Sequence, residues 1–69
     1  MNLYDVFFYS ESTERSGVGY DIHEYLLSSE DDVVMELANL LHKDQYKNRY
    51  IKDLQVYHGG KLRTDLSRV

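Results

Sequence analysis

Apolar and polar positions alternate along two stretches near the start of the chain, and then the period changes. From Leu3 to Tyr9 the residues are largely aromatic or β-branched, and Asp5 sets the phase. With Asp5 toward solvent, Leu3, Phe7 and Tyr9 share its side while Tyr4, Val6 and Phe8 turn the other way, as side chains do along a strand. From Tyr20 to Leu27 the same alternation turns Tyr20, Ile22 and Leu26 inward and Asp21, His23, Tyr25 and Leu27 outward. Glu24 breaks the pattern. A charge on the inward side belongs near the sheet edge, at a bulge, or within reach of a cation such as Lys43 or Arg49. The polar stretch from Ser10 to Gly19 reads as the connecting loop, with Gly17 and Gly19 supplying freedom where the chain turns back.

From Ser28 to Lys43 the spacing is helical. Val34, Leu37, Ala38 and Leu41 recur at three- and four-residue intervals with Val33 and Leu40 at the margins, which predicts a helix with one broad apolar face. Ser28 or Ser29 is placed to cap its first turn, Glu30, Asp31 and Asp32 sit where the helix dipole favours negative charge, and His42 and Lys43 place donors at the far end. A basic connector from His42 to Tyr50 leads to a third strand, Ile51 to Tyr57.

The turn at His58-Gly59-Gly60-Lys61 offers two registers. A two-residue loop pairs Tyr57 with Leu62 and separates Leu62 from Leu54 and Val56, whereas a three-residue loop with Gly60 left-handed pairs Val56 with Leu62. Burial favours the second. The last strand then runs from Leu62 to Leu66, leaving Ser67-Arg68-Val69 as a loose end. The expected architecture is a single α+β domain over residues 1–69, in ββαββ order, with one helix on one face of a mostly antiparallel four-stranded sheet. The other face is left uncovered.

Charge sharpens this picture. Up to Glu36 nine acidic residues stand against Arg15 alone, a balance of −8; from Leu37 onward seven cations face three acids, a balance of +4. The two halves are expected mainly to neutralise each other within the fold. A chain of 69 residues buries only about 60% of its unfolded surface, and with no cysteine it has no disulfide to prop up a small core. The lack of cysteine fits a reducing, cytoplasmic setting. Neither a basic leader nor a run of about 18 apolar residues is present, so no membrane association is expected.

Candidate chemistry is sparse. His23, His42 and His58 lie on different elements at no metal-ligand spacing, no glycine-rich phosphate loop precedes the helix, and no serine sits in a nucleophile elbow. No enzyme activity, catalytic residue, cofactor or metal is expected. What remains is the uncovered sheet face, which gathers Phe7, Tyr9, Tyr25 and Tyr57 with Asp5, Asp21, His23, Gln55 and Arg63 around them. Aromatics in such numbers mark a contact patch. The partner-binding set is therefore Phe7, Tyr9, Tyr25, Tyr57 and Asp21, joined by Glu30, Asp31 and Asp32, which with Glu36 would be the charged row if the chain mimics nucleic acid.

In length, acidity and lack of cysteine the whole chain resembles the accessory proteins that phages and other mobile elements encode. That resemblance implies a partner in a host protein whose activity is altered, and acidity admits a nucleic-acid-binding protein as the host target. Two other classes stay open. A single-stranded nucleic-acid binder would use the aromatics as a stacking platform, with Lys47, Arg49, Lys52, Lys61 and Arg63 supplying charge, against the overall acidity. A self-associating module would use the same aromatics as a symmetric interface, so that the chain is either a monomer or a homodimer.

Overall fold

The structure is a computed structural model and describes residues 1–68. Five elements follow in chain order: β1 (Asn2–Ser12), β2 (Gly19–Ser28), α1 (Val33–Leu41), β3 (Arg49–His58) and β4 (Lys61–Leu62). The strands form one antiparallel sheet in the order β2-β1-β3-β4, so the α+β class and the ββαββ order expected from the sequence both hold. The strand richest in inward aromatics takes the centre, where both neighbours can cover it: Tyr4 and Val6 are fully buried and Phe8 nearly so. Because β2 and β3 both run antiparallel to β1, they run parallel to each other, and α1 provides the crossover that such a pair needs. Val33, Leu37 and Leu40 from α1 close the core with Leu26, Tyr46, Leu54, Val56 and Leu66.

β1 is longer than its apolar run. Ser10 and Glu11 look like the start of a loop, yet both are buried, because two cations from β3 satisfy them. Arg49 donates from Nε to Ser10 Oγ at 2.6 Å and from Nη2 to the Ser10 carbonyl at 3.0 Å, and Lys52 donates to Glu11 Oε1 at 2.9 Å. The connection shrinks to residues 13–18, tied by the Ser12 N–H to the Val18 carbonyl at 2.7 Å.

β3 contains a bulge that its alternation hides. Phe7 pairs with Gln55 but Tyr9 pairs with Lys52, so Asp53 and Leu54 together oppose Phe8, with Asp53 at φ 55°. The extra residue brings Ile51 and Leu54, three apart, onto the same inward side. Glu24 lies on the edge strand β2, as expected for an inward charge, but its partner is the hydroxyl of Tyr46 rather than Lys43 or Arg49. Tyr46 is itself buried edge-on against Phe8, with ring centroids 5.0 Å apart. Tyr20, expected inward, is exposed, with the Arg49 guanidinium 5.6 Å over its ring.

The helix buries a different stripe from the one its spacing suggests. Val33, Leu37 and Leu40 are buried and Leu41 is half-buried, whereas Val34 and Ala38 are exposed. The face is turned by close to one residue, about 100°. Ser29 accounts for the start: both its hydroxyl and its carbonyl accept the Asp32 N–H at 3.2 Å, forming a turn after which Val33 is the first side chain to reach the sheet. Ser28 does not cap; its buried hydroxyl donates to the Ser29 carbonyl at 3.0 Å.

The β3–β4 hairpin takes the register that hydrophobic pairing disfavoured. Tyr57 pairs with Leu62 and His58 with Lys61, leaving a two-residue loop with Gly59 at φ 60° and Gly60 at φ 77°. Two consecutive left-handed residues match the strand twist, and Gly-Gly adopts them without a Cβ penalty. Leu62 therefore faces the uncovered side, and Leu66 takes the core place expected of Leu62. β4 ends at Leu62 rather than Leu66. The Arg63 N–H donates to the Val56 carbonyl at 2.7 Å, the chain detours to drop Leu66 into the core, and the Ser67 hydroxyl and the Arg68 N–H then bond the Val56 N–H and the Leu54 carbonyl at 2.9 and 2.8 Å. Ser67 and Arg68 are thus bound in rather than loose, and Val69 lies outside the described residues.

Candidate interaction face

The uncovered face of the sheet is ordered in rows across β2, β1 and β3. Leu27 lies beside Leu3; Tyr25, Asp5 and Tyr57 form the next row with Leu62 beyond; His23, Phe7 and Gln55 follow; then Asp21, Tyr9 and Lys52. Strand alternation alone sends these residues to one side, so the aromatic set read from the sequence is brought together. Tyr25 and Leu27 are about two-thirds exposed and Leu3 about half, a large apolar surface for a free sheet face.

The middle of the face is held rigidly. Phe7 stacks on His23 with centroids 4.1 Å apart and planes 15° from parallel, Tyr57 meets Phe7 edge-on at 5.7 Å, and Tyr25 tilts over His23 at 4.6 Å. His23 Nε2 lies 3.0 Å from Asp5 Oδ1. A carboxylate only accepts, so an ionised Asp5 is served by the Nε2–H tautomer, and the bond ties the β2 imidazole to β1. His23 and Asp5 thus belong to the site, although their types alone gave no reason to prefer them over other polar surface residues. Beside this row Asp5, Phe7, Gln55, Tyr57 and Gly60 line a shallow depression of ≈ 370 Å³.

Other expected site residues stand apart. Tyr9 is half-buried and its hydroxyl donates to the Gly17 carbonyl at 3.0 Å, so it anchors the 13–18 loop as well as flooring the face. Glu30, Asp31 and Asp32 lie in the turn that enters α1, on the helix side of the sheet, and are not contiguous with Phe7, Tyr25 and Tyr57. Glu30 is also engaged: it accepts from the buried Tyr4 hydroxyl at 2.5 Å and from both terminal nitrogens of Arg63 at 3.0 and 2.5 Å. Arg63 further bonds Asp65 at 3.0 and 2.7 Å, which draws it away from the uncovered face where it was expected. These bonds hold the Glu30 and Asp65 carboxyls below the usual carboxylate values and push Arg63 up, chiefly through Asp65 and then Glu30. The Lys52 ammonium likewise lowers Glu11 and is itself raised by it.

The cations that a nucleic-acid surface would need are scattered. Lys52 alone of them lies in a row of the uncovered face, paired to Glu11; Lys47 sits on the connector 3.4 Å from Asp44, and Arg49 is turned to Ser10 on the helix side. Among the described residues no group of three or more His, Cys, Asp or Glu side chains is gathered as a metal site, and no helix is long and apolar enough to cross a membrane. No family model, curated protein or solved structure matches this chain.

Proposed function

We propose that this chain is a non-enzymatic binding module that docks another protein on the uncovered face of its sheet. The observation that carries the reading is the contiguous ring cluster Tyr25–His23–Phe7–Tyr57 on the uncovered face, flanked by the exposed Leu3, Leu27 and Leu62. Rigid aromatics lose little side-chain entropy when a partner covers them, and Tyr is a favoured anchor at interfaces. Asp5 and Asp21 on the same face favour a partner with a basic rim, while Glu30, Asp31 and Asp32 act from the other side as a field that steers approach. A homodimer through this face would enclose Asp5 and Asp21 of both copies, while its one lysine in these rows, Lys52, is already held by Glu11, which favours a foreign partner over a second copy. The resemblance to small acidic accessory proteins extends the proposal to a cytoplasmic host regulator as the partner, altered or inhibited by the contact.

Tyr25→Ala tests the proposal cleanly, because Tyr25 is 65% exposed and leaves the core untouched. Affinity capture with wild type and variant, followed by titration of the captured protein, should show about 2 kcal/mol weaker binding if Tyr25 is an anchor. Unchanged binding in Tyr25→Ala, or tight oligonucleotide binding at physiological salt that depends on Lys47 and Arg49, would reject it.

A further inference from the structure

We infer that the depression beside Phe7 and Tyr57 is a receptor for one arginine side chain of the partner; the inference rests on the docking reading above and specifies its chemistry. The depression has two aromatic walls, Phe7 and Tyr57, set at 90° to each other, and one charged group, Asp5. At ≈ 370 Å³ it is at the lower end of ligand-sized sites, large enough for a single side chain.

Three features select the occupant. Asp5 is half-buried and its Oδ1 is held by His23, while Oδ2 keeps acceptor capacity and, among the described residues, no lysine or arginine is paired with the carboxylate. An apolar side chain seated here would strip water from that carboxylate without replacing its hydrogen bonds. An acidic side chain would meet Asp5 directly and Asp21 two rows away. A cation satisfies both demands, and a planar guanidinium does so better than an ammonium, because it can donate to Oδ2 while lying against an aromatic ring. Gln55 supports the geometry: its Oε1 accepts from the Tyr57 hydroxyl at 3.3 Å, which orients the ring at the mouth of the depression. Lys52, the cation nearest along β3, is held by Glu11 and does not fill the place.

The test is an amide-NMR titration of the intact chain with N-acetyl-arginine methylamide, run beside its citrulline counterpart, which keeps the shape and loses the charge. Arginine should shift the signals of Asp5, Phe7, Gln55 and Tyr57, and citrulline should bind about fivefold more weakly. Asp5→Asn should remove most of the difference between the two probes, and Tyr57→Leu should weaken arginine binding while keeping the dispersed spectrum of the fold. Equal responses to the two probes, no response, or shifts centred on residues 30–32 would each overturn the inference. If the probes fail while Tyr25→Ala still releases the partner, the docking face stands and only the arginine receptor falls; if Tyr25→Ala changes nothing, the docking reading itself falls.

Discussion

Gly19 begins β2 opposite Glu11, and a methyl group there has nowhere to go. A Cβ at this position would lie 2.2 Å from the Ser10 carbonyl oxygen and 2.9 Å from both Glu11 Cα and the Ser10 carbonyl carbon. All three are backbone atoms of the central strand, and β3 holds that strand from its other side through the Arg49 bonds to Ser10. The strand cannot retreat without loosening those bonds. Overpacking of a tight site costs about 1–3 kcal/mol, and a clash with fixed backbone belongs at the upper end. At about 0.05–0.15 kcal/mol per residue, a chain of this length holds roughly 3–10 kcal/mol in total. Gly19→Ala should therefore remove about 3 kcal/mol and lower the melting temperature by roughly 12–24 °C. Gly17→Ala is the matched control: Gly17 has φ 81° with nothing within 4 Å of an added Cβ, so only the left-handed conformation is penalised. That costs about 1 kcal/mol. Urea unfolding followed by circular dichroism measures both. A Gly19→Ala loss no larger than that of Gly17→Ala would refute the close approach of β2 to β1.

Packing and charge give further expectations. Leu66→Ala should cost about 2–5 kcal/mol by urea unfolding and Val34→Ala less than about 1 kcal/mol, since one is buried and the other exposed; the reverse order would overturn the described tail docking and helix facing. Stability should also fall in acid. The Glu30 and Glu11 carboxyls sit below their ordinary value of 4.5 and Asp65 below 3.8, so their contribution is complete above those values and is lost as pH falls through the lowered, folded-state ones. Arg63→Gln should flatten this acid limb, and an unchanged limb would show that the Arg63 bonds do not set it. At the other extreme, burial first and Glu24 second raise the Tyr46 hydroxyl above its ordinary 10.0, so stability should decline as pH climbs past that value, and Tyr46→Phe should lessen the decline.

Period and phase in the amino-acid sequence determined the element types, their order, the inward set Tyr4, Val6 and Phe8, and the aromatic set on the uncovered face, because alternation along a strand is a local property of the backbone. The tertiary structure decided what local pattern leaves degenerate. A helix with seven apolar residues among Val33–Leu41 can bury more than one stripe, and the turn at Ser29 picks one. Ser10 and Glu11 read as loop because their partners, Arg49 and Lys52, lie some forty residues away along the chain. The hairpin register followed the conformational demand of Gly59-Gly60 rather than the burial of Leu62, since Leu66 could be brought to the core by a detour of the chain. Arg63 left the face for Glu30 and Asp65, a choice between carboxylates that residue type cannot rank. The same limit applies to the depression at Asp5, whose aromatic walls come from β1 and β3, adjacent only because β2 and β3 close on opposite sides of β1.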